Sequence, residues 1–253
     1  MTRIALITGA TSGIGEQFAR QLAASQVCDE LWMVGRNGGK LEVLKAELLP
    51  QRTAPVCADL CATDGMLLIE SMLKEHKPVI SLLINSAGLG FRDSVAGQSM
   101  EEISDTLNTN CNALTLMCRM CLPYMDGKSG IINIASSAGF IPQPGFAVYA
   151  ASKSYVISFS RALAAELKER GIRVTCVCPG PVTTGFQYKA TKGKTEGFTG
   201  IRAMTSKTPV EIAEISLKAS SRGRRLISVG TSQKLLHLAA KILPHQWIIN
   251  MIK

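Results

Sequence analysis

Thr8-Gly9-Ala10-Thr11-Ser12-Gly13-Ile14-Gly15 follows the apolar run Ile4-Ala5-Leu6-Ile7 and leads into the helix-like Glu16-Gln17-Phe18-Ala19-Arg20. A strand, a glycine-rich turn and a helix in that order make the opening half of a βαβ unit. Glycines let the backbone turn sharply and approach a pyrophosphate, and the N-terminus of the next helix presents free N–H groups and the positive end of its dipole. The spacing is GxxxGxG rather than the GxGxxG of the commonest dinucleotide fingerprint. Gly9, Thr11, Ser12, Gly13, Ile14 and Gly15 are therefore candidate contacts for a nucleotide's phosphates.

The rest of the chain repeats this rhythm. Apolar runs read as buried strands at 3–7, 30–34, 54–58, 80–84, 130–135, 172–178 and 225–229. Helical periodicity lies between them, near 14–25, 39–49, 64–75, 100–125, 149–170 and 209–221. Alternation of this kind predicts an α/β protein in a single domain, with a doubly wound seven-stranded parallel sheet and helices on both faces. The strands carry near-continuous Ile, Leu and Val, as doubly buried strands do. Two segments break the pattern. Residues 183–207, rich in Thr, Gly and Lys, read as a substrate lid ending at a helix start with a capping box, Thr208-Pro209-Val210-Glu211. The tail from 233 to 253 is amphipathic, with Lys234, His237 and Lys241 on one stripe, apolar residues over the rest, and Pro244 as a break.

Bulk properties narrow the function classes. The chain has 253 residues, 46% hydrophobic and 19% charged, which suits a globular domain with a sizeable core. No run approaches the roughly 18 apolar residues of a membrane span, and Met1-Thr2-Arg3 leaves no room for a signal peptide before the first strand, so a cytoplasmic protein is expected. Cys118 and Cys121 lie in a helical pattern and Cys176 and Cys178 in a strand-like one, positions that read as small buried hydrophobes rather than a metal site. The net charge of +9 raises nucleic-acid binding. Its scatter and the lack of interleaved aromatics argue instead for a solvated surface, and a basic field also draws in a phosphate-rich cofactor.

TGxxxGIG at the N-terminus resembles the short-chain dehydrogenase/reductase family, and the resemblance extends over roughly residues 3–184. Asp59-Leu60 after the third strand matches the family's acidic position at the adenine. Asn85-Ser86-Ala87-Gly88 is similar to its NNAG, with Ser replacing the second Asn. Pro179-Gly180 matches its PG turn beside the nicotinamide. The resemblance implies a Rossmann fold and a nicotinamide cofactor held by Asp59, Leu60, Asn85, Ala87, Gly88, Pro179, Gly180, Val182 and Thr184 besides the phosphate loop. At the end of the second strand the chain reads Met33-Val34-Gly35-Arg36-Asn37. The carboxylate that would accept from a ribose 2′-OH is absent, and Arg36 can grip a 2′-phosphate, so NADP(H) is expected.

Tyr149 and Lys153 are four apart on a helical pattern and share a face. A free phenol has a pKa near 10, and a nearby ammonium lowers it toward the range useful for proton transfer. Thirteen residues before Tyr149, just after the fifth strand, stands Ser136, whose hydroxyl can bond a substrate oxygen; Ser137 is its neighbour and rival. The family resemblance assigns Ser136, Tyr149 and Lys153 to catalysis, with Tyr149 and Lys153 also meeting the cofactor. It gives Asn110, with Asn112 as rival, a water in a proton relay.

The resemblance implies a small-molecule carbonyl or alcohol as substrate. Leu89-Gly90-Phe91-Arg92, the segment Phe140 to Phe146 and the lid favour a relatively apolar one, such as a steroid-like, acyl or aromatic ketone. Resemblance implies a homodimer or homotetramer through the long helices. The tail has three readings: packed on its own domain, covering a neighbouring subunit, or lying on a membrane surface, the last favoured by Trp247 and the basic stripe. A non-catalytic NADPH-binding sensor on the same fold is the rival from another class.

Overall fold

The computed structural model describes residues 1–182, 186, 190–191 and 206–252, the side chains at 245, 251 and 252 apart. Strands β1 (Arg3–Thr8), β2 (Glu30–Gly35), β3 (Arg52–Cys57), β4 (Val79–Asn85), β5 (Gly130–Ile134), β6 (Arg173–Pro179) and β7 (Leu226–Val229) form one seven-stranded sheet in the order β3-β2-β1-β4-β5-β6-β7. Every pairing is parallel. The order reverses between β1 and β4, and open α/β sheets bind ligands at the carboxyl ends of their strands at such a switch point.

The helices are α1 (Gly13–Ser25), α2 (Gly38–Glu47), α3 (Thr63–His76), α4 (Met100–Leu107), α5 (Leu114–Cys121), α6 (Ala147–Glu166), α7 (Pro209–Ser221), α8 (Thr231–Ile242) and α9 (His245–Ile252). The pleat of β1 divides them into two layers, because successive side chains point to opposite faces. Ile4 and Leu6 join a core built with Ile69 of α3, Met117 of α5 and Val156 of α6. Ala5 and Ile7 join the other, with Phe18 of α1, Leu41 of α2 and Ile212 of α7. Burying one such side chain stabilises the fold by about 1.5–3 kcal/mol. Cys118, Cys121, Cys176 and Cys178 are free thiols buried in the first core, where they pack as the small hydrophobes expected. Burial pushes the Cys118 thiol up to about 12.

The helix expected over 100–125 is not continuous. Between α4 and α5 the chain makes a π-helical turn, Asn108–Ala113, and it closes with a 3₁₀ turn at Leu122–Tyr124 containing Pro123. The extra residue in the π turn lets Asn110 face inward, fully buried. The start of α7 follows the sequence expectation: Thr208 and Glu211 form a capping box, with Pro209 in the first turn. The tail continues past β7 as α8 and α9, separated at Pro244.

Candidate active site

A cleft of about 900 Å³ runs along the carboxyl ends of the strands. Its floor is the turn after β1. Gly9 and Gly13 adopt φ of +69° and +58°, the left-handed region that a side chain rarely tolerates. A Cβ on Gly9 would stand 2.8 Å from main-chain atoms of Ala87. Ser12 caps α1 with extended backbone and no side-chain hydrogen bond, so the first-turn N–H groups of α1 stay open toward the cleft. Gly9, Thr11, Ser12, Gly13 and Ile14 line it. Gly15 does not line it: a Cβ there would collide with the Gly9 carbonyl, so this glycine serves the close packing of turn on helix. The Thr8 hydroxyl accepts from the main-chain N–H of Ser86 at 3.1 Å and of Ala87 at 3.2 Å, which ties the turn after β4 to β1.

At one end the cleft is lined by Arg36, Asn37, Lys40, Asp59, Leu60 and Cys61. Arg36 and Lys40 are exposed cations where β2 passes into α2, and no carboxylate stands at the end of β2. Asn37 caps α2 by accepting from the Lys40 N–H at 2.9 Å, which orients that first turn. An open helix N-terminus flanked by glycines, with two cations beyond it, fits a dinucleotide bearing an extra phosphate.

At the other end stand Ala87, Gly88, Ser136, Tyr149, Lys153, Pro179, Gly180 and Val182. Ser136 follows β5 and caps the short turn Ser137–Phe140 by accepting from the Ala138 N–H at 3.1 Å. Its hydroxyl proton is thereby left to donate into the cleft. Tyr149 and Lys153 lie in the first turns of α6, and the Lys153 ammonium donates to the Ile134 carbonyl at 3.0 Å. Asn110 stands one layer behind. It accepts from the Leu89 N–H at 2.9 Å and donates to the Leu89 carbonyl at 2.7 Å and to the Ser152 hydroxyl at 2.9 Å. Ser152 donates in turn to the Tyr149 carbonyl at 2.7 Å, so one chain of hydrogen bonds joins the loop after β4 to the helix carrying Tyr149.

Two sequence expectations change here. The side chain of Asn85 faces the core rather than the cleft: it donates to Asn133 at 2.9 Å and to the Cys118 sulfur at 3.3 Å, bridging β4, β5 and α5. Tyr149 is not acidified by its lysine. Burial pushes the phenol up to about 12, opposed by the neighbouring Ser136 hydroxyl. Lys153 lies over the Tyr149 ring, 5.7 Å from its centre, and is held by Ile134. Burial lowers Lys153 itself to about 8. Thr184 and most of the 183–207 segment lie outside the described residues.

The structure also adds residues that sequence reasoning passed over. Lys40 follows Arg36 by four and was legible as a second cation at the start of α2. Arg92 and Phe146, from the two segments the sequence already marked as substrate-setting, come together here: Arg92 sits 5.2 Å from the centre of the Phe146 ring, and Phe146 stacks on Tyr149 at 4.3 Å. Ser232, Gln233 and Leu236 of α8 complete the wall next to Gly180. No local signal marks them, because they reach the site only through folding.

Comparison with known proteins gives a consistent outcome. A family model described as short chain dehydrogenase matches residues 3–195. An uncharacterised oxidoreductase of Staphylococcus epidermidis is 30% identical over 228 residues, which cover 85% of this chain and 96% of that one. The 3-oxoacyl-[acyl-carrier-protein] reductase of Chlamydia trachomatis is 29% identical, covering 90% and 94%. The solved structure of a short-chain dehydrogenase from Sphingobium yanoikuyae in complex with NADPH superposes with a TM-score of 0.79 at 25% identity, covering 100% of this chain and 97% of that one.

Proposed function

Because the chain belongs to the short-chain dehydrogenase family, we propose that it is an NADPH-preferring oxidoreductase that interconverts a relatively apolar carbonyl and its secondary alcohol. The observation that carries this reading is the convergence of Ser136, Tyr149 and Lys153 at one end of a cleft whose far end holds Arg36 and Lys40. The nicotinamide, when bound, supplies or takes up the hydride. The protein's own residues do the rest. Thr11 to Ile14 would hold the pyrophosphate at the start of α1, and Arg36 with Lys40 would hold the 2′-phosphate. Ser136 donates a hydrogen bond to the substrate oxygen, steadying charge that develops there. Tyr149 delivers the proton to that oxygen in reduction and removes it in oxidation. Lys153, beside the Tyr149 ring, would hold the ribose hydroxyls. Asn110 keeps the Leu89 loop and α6 in register.

Ile141, Phe146 and Leu236 line the cleft and support an apolar substrate, and Arg92 beside Phe146 suits one that also carries an anionic group. An acyl ketone of the kind named for the chlamydial relative meets both conditions. Half-exposed Leu107, Leu116 and Tyr155 on α4 to α6 support a homodimer or homotetramer formed through those helices.

Two variants test the reading with NADPH oxidation against a panel of ketones. Tyr149→Phe should lower kcat by about 10²–10⁴ while NADPH still binds, and sustained turnover rejects the mechanism. Arg36→Ala should reduce the NADPH-over-NADH ratio of kcat/KM by at least about tenfold, the worth of one lost charge-assisted contact. An unchanged ratio rejects the cofactor preference.

A further inference from the structure

Glu214 is followed by no further acidic residue in the sequence, while Lys218, Arg222, Arg224, Arg225, Lys234, Lys241 and Lys253 come after it. This basic end of the chain carries α8 and α9. The sequence puts Lys234, His237 and Lys241 on one stripe with apolar residues over the rest, and leaves open whether the tail packs on its own domain, covers a neighbouring subunit or lies on a membrane surface. The structure divides that stripe, turning His237 inward. Gln233 is buried against Gly180, Leu236 lines the cleft, and the His237 ring stacks on Phe140 at 4.3 Å. Leu235, Leu238 and Ile242 face outward, 68%, 54% and 70% exposed. Their spacing of three and four places them on one stripe, and Lys234 and Lys241, seven apart, run along its edge. After Pro244, Ile248 pins α9 to the protein while Trp247 stays 64% exposed.

An exposed apolar strip edged by lysines, with an indole beside it, has the composition of a helix lying in a lipid interface. Exposed Lys234 and Lys241 beside the strip supply the complement to negatively charged headgroups, with no carboxylate anywhere on α8 or α9 to oppose them. We propose that α8 and α9 dock this protein on the surface of an anionic phospholipid bilayer. Among the described residues no helix is long and apolar enough to cross one, so the contact is peripheral. The outer side of α8 meets the lipid while its inner side walls the cleft. Docking therefore sets the cleft about one helix diameter, ~10 Å, from the bilayer. On the oxidoreductase reading, an apolar carbonyl dissolved in the membrane would reach Tyr149 without crossing bulk water. The docking itself does not depend on that reading.

The test is cosedimentation of the full chain with phosphatidylglycerol vesicles and, separately, phosphatidylcholine vesicles. The protein should pellet with the first and not the second, with binding that weakens as salt rises. Trp247 emission should shift to the blue on binding, since Trp32 is already buried. Lys234→Ala and Lys241→Ala should each weaken partitioning about fivefold. The double variant Leu238→Gln/Ile242→Gln should stay in the supernatant while its circular dichroism and its turnover of a water-soluble ketone match wild type. Loss of docking is thus read apart from loss of activity. The proposal is overturned by no pelleting with phosphatidylglycerol, by equal pelleting with phosphatidylcholine, or by a double variant that still pellets. It is overturned too if the wild type ignores vesicles and light scattering shows the double variant splitting a dimer, which assigns the strip to a second copy of the chain.

Discussion

Lys153 is 4% exposed, held by the Ile134 carbonyl, and lowered by burial to about 8 from an ordinary value of 10.5. Burying an ammonium costs free energy, so Lys153 subtracts from the stability of the fold. The pH dependence follows. Between about 8 and 10.5 the unfolded chain holds this proton and the folded one releases it, so the lysine's contribution to stability improves as pH rises through that window. Below about 8 both states are charged and the full cost stands. Lys153→Met should therefore be more stable than wild type at pH 7, with the gap closing toward pH 10; urea melts at both ends check it. Comparing the two proteins cancels Cys118 and Cys121, whose raised pKa values act with the opposite sign and owe nothing to Lys153. Tyr149, pushed up to about 12, acts oppositely only above the ordinary phenol range.

Among the elements, the π turn at Asn108–Ala113 shows how backbone geometry serves the site. A regular helix through these residues would rotate Asn110 away from Leu89. The widened turn aims it inward, and its amide satisfies both main-chain groups of Leu89 as well as the Ser152 hydroxyl. Asn110→Ala leaves these groups unpaired at a part-buried position, a loss of about 1–3 kcal/mol. The expected result is a lower Tm together with a lower kcat, because the Leu89 loop and α6 lose their tie; an unchanged Tm counts against it. The helix itself was readable from periodicity across 100–125, whereas the insertion inside it was not. A π turn keeps the same residues and changes only their phase, and that change is stabilised by a loop 21 residues earlier in the chain.

At the scale of the whole molecule, β1 serves two cores at once. Leu6→Ala empties space under α3, α5 and α6, and Ile7→Ala empties space under α1, α2 and α7; each should cost about 2–5 kcal/mol. Because one sheet joins the two layers, both variants should unfold in a single urea transition with the slope of wild type. Two separated transitions in either variant would mean that the layers unfold independently. Likewise Lys234 and Lys241, seven apart in sequence, come to edge the exposed strip of Leu235, Leu238 and Ile242 only in the folded molecule, where the opposite side of α8 walls the cleft.

Strand and helix positions, the turn from Thr8 to Gly15, and the pairing of Tyr149 with Lys153 were determined by sequence alone. Each depends on a period or spacing of a few residues, which the backbone converts directly into a face or a turn. The absent carboxylate after β2, which points to NADPH, is legible for the same reason. Only the tertiary structure decided that Asn85 turns into the core, that Gly15 packs against its own loop, that burial raises the Tyr149 phenol, and that α8 buries Gln233 and stacks His237 on Phe140 while showing Leu235, Leu238 and Ile242 to solvent. Those outcomes depend on neighbours contributed by distant parts of the chain. A helix with two plausible inner faces takes the one that the far side of the fold can accept, and for α8 that choice is made by Gly180 and Phe140.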